Sequence, residues 1–132
     1  MNWALLRRLL LEARDHYPMS MTLQPGHWWF NLARSKMASL ASATGEQFCI
    51  VLIGNHDVED DYYVIPYPIV KPLLTEETLA DPAPTRPQPR WHMYLRGDEL
   101  GLWPGQGCPD NHLRAIDVSC YRGRRELLQR LE

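Results

Sequence analysis

The run from Gln47 to Leu74, QFCIVLIGNHDVEDDYYVIPYPIVKPLL, constrains the fold most, because it holds the densest concentration of β-branched and aromatic residues in the chain. Two apolar runs, Phe48 to Ile53 and Tyr62 to Tyr67, flank the polar loop Gly54 to Asp61, a pattern that predicts a central β-hairpin. Pro66 and Pro68 end the second run, since proline has no N–H to give to a sheet ladder.

What the hairpin packs against is bounded by the rest of the chain. A length of 132 residues fits one compact domain, and a chain of that size buries roughly two thirds of its unfolded surface. Residues 1–132 are therefore read as a single domain. With 45% hydrophobic and 23% charged residues and five tryptophans, the composition is that of a folded protein and not of a disordered tail. A formal net charge of −2 gives no global attraction to nucleic acid or anionic membrane, so such a partner would need a local basic patch. Cys49, Cys108 and Cys120 form no CxxC pair and are odd in number, which fits a reducing compartment. The N-terminal apolar run is broken by Arg7 and Arg8 and does not approach the roughly 18 apolar residues of a spanning helix. The expectation is a cytoplasmic protein with no membrane partner.

In chain order, Trp3, Leu6, Leu10 and Ala13 recur at helical spacing, which predicts an amphipathic helix over 3–16 with Asn2 as N-cap and Pro18 beyond its end. The aromatic string after Pro25-Gly26 predicts a strand from His27 to Ala33, then a looser or briefly helical segment, with a turn at Ser42 to Glu46; a helix from Trp29 through Leu40 is the alternative. IVKPLL and TEETLA read as a short helical connector at most, with Thr75 as an N-cap. Asp81 to Pro89 holds four prolines in nine residues and reads as an extended surface loop. Arg90 to Arg96 alternates as a half-buried strand, and the Gly97-Asp98 turn offers Leu100 to Trp103 as its partner. RAIDVSCY supplies one more short strand or turn, and RRELLQRLE a short terminal helix with Leu127, Leu128 and Leu131 inward. The fold expected is α+β: a mostly antiparallel sheet of four or five strands centred on 48–53 and 61–67, with the N-terminal helix packed on one face. Leu6, Leu10, Phe48, Ile50, Leu52, Tyr63, Ile65, Met93 and Leu95 are the predicted core.

Four constellations carry chemistry. Gly54-Asn55-His56-Asp57 resembles the GNHD block of calcineurin-like metallophosphoesterases, in which an Asn and a His approach a two-metal centre. The DxH, GDxxD and GHxH blocks of that family have no counterpart, so the residues are read as a polar hairpin loop. Asp57, Glu59, Asp60 and Asp61 cluster four carboxylates but lack the spacing of a calcium loop, and read as an exposed tip that discourages edge pairing. Cys108, His112 and Cys120, with His92 outside them, lack the paired spacing of a zinc site. Arginines concentrate around the proline loop, at Arg86, Arg90 and Arg96, and near the C-terminus, at Arg114, Arg122, Arg124 and Arg125. Beside aromatics such as Trp91, Tyr94, Trp103 and Tyr121 they offer the pairing that phosphate contacts and base stacking use.

The expected order α-β-β-β-α-β, with strings such as YYVIP, RWHMYL and IDVSCY, resembles restriction and homing nuclease-related domains of the PD-(D/E)XK kind. That family's acid on the second strand and its (D/E)xK on the third have no match, so the resemblance implies a non-cleaving relative and transfers no catalytic residue. The leading expectation is a non-catalytic nucleic-acid recognition module, DNA- or RNA-binding, of a DNA-defence or mobile-element system, contacting its ligand through Arg90, Trp91, Arg96, Arg114, Arg122, Arg124 and Arg125. The alternative is a small protein-interaction partner, inhibitor or immunity-like, that uses the acidic loop 57–61. A metal-dependent phosphodiesterase or nuclease ranks third. No catalytic signature is complete, so the chain is read as a non-enzyme with no cofactor and no metal.

Overall fold

The computed structural model describes residues 2–12, 19–22, 29–54, 57–80, 88–102 and 115–129. The predicted hairpin is at its centre: β3 (Cys49–Ile53) and β4 (Tyr62–Pro66) are antiparallel, with Ile50 opposite Ile65 and Leu52 opposite Tyr63. A third strand, β1 (Met19–Thr22), lies parallel to β3 on its other side. No β-branched or aromatic run marks Met19–Thr22, which is why the sequence reading gave it no strand.

Side chains of a strand alternate between its faces, yet β3 is apolar on both. Cys49, Val51 and Ile53 join Tyr62 and Val64 on one face; Ile50 and Leu52 join Tyr63 and Ile65 on the other, with Phe48 just before the strand. A sheet with two apolar faces has to be covered twice. Helix α1 (Trp3–Glu12) covers the first with Trp3 and Leu6, and the Trp3 ring stacks on Tyr62 at 5.3 Å between centroids. Asn2 caps α1 as predicted, its Oδ1 accepting the Leu5 N–H at 2.8 Å. The rest of the expected 3–16 helix lies outside the described residues.

The second face is covered by an antiparallel four-stranded sheet in the order β2 (Trp29–Ala33), β5 (Arg90–Arg96), β6 (Glu99–Leu102), β7 (Ile116–Asp117). Its Phe30, Leu32, Trp91, Met93, Leu95, Leu100 and Leu102 point at the hairpin and close the main core. The molecule is thus α+β, as expected, with its strands shared between two facing sheets and the N-terminal helix on the outer face of the smaller one. Every predicted core residue with a described side chain is buried; that of Leu10 lies outside them.

One segment is more regular than expected. Residues after β2, read as loose or briefly helical with a turn from Ser42, form the helix α2 (Arg34–Thr44), which starts without a loop because Ala33 is still extended and serves as its N-cap. Met37 is buried, and Leu40 and Ala41 pack beside it, a stripe at i, i+3, i+4 that the neighbouring serines obscure in the sequence. Gly45, at φ +64, ends the helix in the left-handed conformation a glycine adopts freely. The observed order therefore places α2 between β2 and β3, a departure from the α-β-β-β-α-β order that carried the nuclease resemblance. The connector after β4 is helical as read: α3 (Tyr67–Val70) runs into two 3-10 turns at Lys71–Leu73 and Glu76–Thr78. At the far end comes a four-residue helix, α4 (Glu126–Gln129). Of the proline-rich loop 81–89, residues 81–87 lie outside the described ones, while Pro89 accepts the Arg34 N–H at 3.0 Å through its carbonyl. Among the described residues no helix is long and apolar enough to cross a membrane.

Candidate interaction surface

Both hairpin turns emerge at one end of the two facing sheets, and the segment after β7 folds over the same end. The β3–β4 loop is set by short backbone links: the Gly54 N–H donates to the Asp61 carbonyl at 2.7 Å and the Tyr62 N–H to the Asp60 carbonyl at 2.9 Å. Position 54 has to be glycine, because a Cβ there would run into the Asp61 carboxylate. Asp60 takes φ +55, a left-handed conformation that aspartate tolerates better than most residues. The loop holds Asp57, Val58, Glu59 and Asp60 exposed, with Val58 44% exposed.

The β5–β6 turn, with Gly97 at φ +59, brings Asp98 beneath this loop. The Tyr63 hydroxyl lies 2.5 Å from Asp98 Oδ1 and 3.2 Å from the Gly97 carbonyl oxygen, joining the two sheets at their rim. Burial, reinforced by that bond to a carboxylate, pushes the Tyr63 hydroxyl well above the usual tyrosine range, so it stays a donor at any physiological pH. The Val118 N–H donates to the Asp98 carbonyl at 2.8 Å and places β7. The Ser119 N–H donates to Asp117 Oδ1 at 2.8 Å, which holds the Asp117 carboxyl below its ordinary value.

The chain then crosses the edge of β4. Tyr63 and Arg122 form a bridge, the Gly123 N–H donates to the Tyr62 carbonyl at 2.9 Å, and the Tyr62 hydroxyl donates to the Gly123 carbonyl at 3.1 Å. Arg122 Nη2 ends 3.7 Å from Asp61 Oδ1. Two clefts result, with Asp98 as their common wall. One, about 290 Å³, is lined by Val58, Asp61, Tyr63, Leu95, Gly97, Asp98 and Arg122; the other, about 520 Å³, lies among Arg96, Asp98, Glu99, Ile116, Asp117 and Ser119.

The residues expected to contact nucleic acid are dispersed. Trp91 is no stacking platform: it is 5% exposed in the core, and its indole N–H donates to the Thr75 carbonyl at 2.9 Å. Arg90, half-buried at the start of β5, gives its Nε–H to His92 Nε2 at 3.0 Å. Arg96 is exposed at the other end of the strand, roughly 20 Å away at about 3.3 Å per residue, with its guanidinium 5.6 Å from the Tyr94 ring. Arg124 pairs with Glu126 and donates to the Cys120 carbonyl at 3.1 Å, while Arg125 is exposed. Arg114 lies outside the described residues, as do Arg86, Trp103, Asn55, His56, Cys108 and His112. Tyr94 is buried and its hydroxyl donates to Glu99 Oε1 at 2.6 Å; Tyr121 is half-buried.

Among the described residues no three His, Cys, Asp or Glu side chains are grouped to hold a metal ion. Cys49 is buried and its thiol is pushed up to about 11 by desolvation, so it is no nucleophile. Sequence reasoning missed Asp98, because its place beside the acidic loop exists only once the two sheets face each other, and Asp117, which shares the second cleft with Asp98. Compared with known proteins, the chain matches no family model, no curated protein and no solved structure.

Proposed function

We propose that the chain is a protein-interaction module of the inhibitor or immunity-like kind, presenting the acidic loop 57–61 and the adjoining cleft to a basic surface of a protein partner. One observation carries this reading: among the described residues, exposed acids outnumber exposed unpaired arginines at this end, with Asp57, Glu59, Asp60, Glu99 and Asp117 set against Arg96 and Arg125, while Arg122 and Arg124 face acids of their own chain. Val58, exposed at the centre of the loop, supplies an apolar contact point inside a charged rim, the arrangement common at protein interfaces. The net charge of −2 agrees. The nucleic-acid reading has less support, since its aromatic anchor Trp91 is in the core and α4, at four residues, is too short to hold a phosphate on its N-terminus.

A photo-crosslinker at Val58, compared with one at the exposed Ala38 of α2, tests the reading in cells of the source. The expected result is a discrete basic protein captured only at Val58, reproduced with that protein in pure form, and lost in the triple variant Asp57→Asn, Glu59→Gln, Asp60→Asn. If instead the purified chain binds duplex, single strand or RNA with affinity that falls steeply with salt, and Arg122→Gln, Arg124→Gln, Arg125→Gln flattens that slope, the nucleic-acid reading replaces this one.

A further inference from the structure

We infer that the cleft between Asp61 and Asp98 is the receptor for one arginine side chain of the partner, and that Arg122 stands in for it while the protein is free. This inference rests on the interaction reading above.

The size of the cleft points to a side chain. At about 290 Å³ it falls at the lower limit of the roughly 300–1,000 Å³ of small-molecule sites. Its lining is divided as an arginine is divided. Val58 and the buried Leu95 are apolar members of the lining, which a methylene stem could meet, and Asp61, Asp98 and Gly97 are lining members with oxygens that a guanidinium could donate to. Asp98 gives Oδ1 to the Tyr63 hydroxyl, and its Oδ2 has no hydrogen-bond partner among the described residues. A planar, weakly hydrated guanidinium donates to two carboxylates at once; a lysine ammonium is more strongly hydrated and less suited to the partly buried site.

The chain's own arginine shows both the attraction and the incomplete seating. Arg122 comes to the mouth of the cleft, but its nearest nitrogen stays 3.7 Å from Asp61 Oδ1, beyond the roughly 2.7–2.9 Å of a charge-assisted hydrogen bond. Its side chain is 46% exposed, whereas that of Asp61 is 13% exposed. Arg122 is tethered by its backbone bridge to Tyr63, which limits how far its guanidinium reaches inward. A guanidinium delivered from outside carries no such tether, and it would displace Arg122 into solvent.

The test is a titration of the full chain with N-acetyl-arginine methylamide, followed by backbone amide NMR, with the lysine and the neutral citrulline analogues as comparisons. The expected result is a saturable shift of the Leu95, Gly97 and Asp98 amides by the arginine probe, about tenfold tighter in Arg122→Ala than in the parent. The lysine probe binds at least several-fold more weakly and citrulline not at all. Asp98→Asn keeps an oxygen for the Tyr63 hydroxyl, so the fold persists, and it is expected to weaken the arginine probe about tenfold. No saturable shift in Arg122→Ala, an equal response to citrulline, or full binding by Asp98→Asn overturns the inference. Crosslinking at Val58 without probe binding would remove the cleft's role and leave the interaction reading intact. Salt-sensitive displacement of the arginine probe by duplex DNA would overturn both.

Discussion

The two faces of the β3–β4 hairpin are both apolar and both buried, yet they are covered in different ways. Toward the second sheet, Phe48, Ile50, Leu52, Tyr63 and Ile65 enter a core drawn from strands, helix α2 and the connector after β4. Toward the N-terminus, Cys49, Val51, Ile53, Tyr62 and Val64 are covered by Trp3 and Leu6, with Leu127 of α4 at the margin. The first face is enclosed by elements that are themselves fixed by sheet ladders. The second is met by one helix, whose attachments among the described residues include a ring stack, apolar contacts and the Arg7 Nε–H donating to the Gly54 carbonyl at 3.1 Å. Equal burial thus need not mean equal attachment, and the helical layer is the one expected to open locally.

The same substitution on the two sides separates them. Leu52→Ala, at a position with no exposure, is expected to lower stability by about 4 kcal/mol, because strands on both sides prevent the cavity from collapsing. Leu6→Ala, in a helix free to shift, is expected to cost about 2 kcal/mol, near the low end for buried leucines. Urea unfolding of both variants checks the order, and equal losses would break the comparison.

Thiol labelling sharpens it. Cys49 lies beneath α1, whereas Cys120 is exposed and labels at once as an internal standard. If α1 lifts as a unit, Leu6→Ala raises the native-state labelling rate of Cys49 by about thirtyfold, the equivalent of about 2 kcal/mol. Peptide mass spectrometry after quenching reads this directly; an unchanged rate would mean the helical layer opens only with the whole protein.

Alkaline pH gives the smallest effect. The Cys49 thiol ionises near 9.0 in the unfolded chain and near 11 when folded, because burial disfavours the thiolate. Its contribution is therefore complete below pH 9 and lost as the pH rises through 11. Tyr94, raised from 10.0 to about 12 by burial and its bond to Glu99, repeats the pattern one unit higher. Stability is expected to begin falling above pH 9 through Cys49 and to go on falling above pH 10 through Tyr62, Tyr63, Tyr67 and Tyr94, all raised by burial, and Cys49→Ala should remove the onset near pH 9; an onset unchanged by this substitution would contradict the assignment.

Much of this arrangement was legible in the sequence, and what was not has a physical reason. The hairpin, Arg90–Arg96, the Gly97-Asp98 turn and the Asn2 cap each follow from patterns confined to a few residues. β1 escaped, and α2 was only half legible, because Met and Ser are weak witnesses: MSMT pairs where β3 offers it an edge, and RSKMASLASAT buries a stripe whose small residues hardly register as apolar. The acidic loop could be read from composition, but its neighbours could not. Asp98 meets Tyr63 across 35 positions of chain, and no local pattern encodes that meeting. The arginine clusters show the converse: adjacency in sequence gives no sign that Trp91 faces inward and that Arg122 faces Asp61.

The Tyr63 to Asp98 link also bears on how the molecule comes together in time. The pairs β3–β4 and β5–β6 are each closed by a short turn and can form within their own stretch of chain, whereas β1–β3 and β2–β5 join strands separated by whole elements. Distant pairings carry the larger closure entropy and form late. The loop 57–61 and the turn at Gly97 are therefore expected to form early as separate pieces and to come into register only when the two sheets have met. A partner that must grip Asp61 and Asp98 together engages finished molecules and passes over those still assembling.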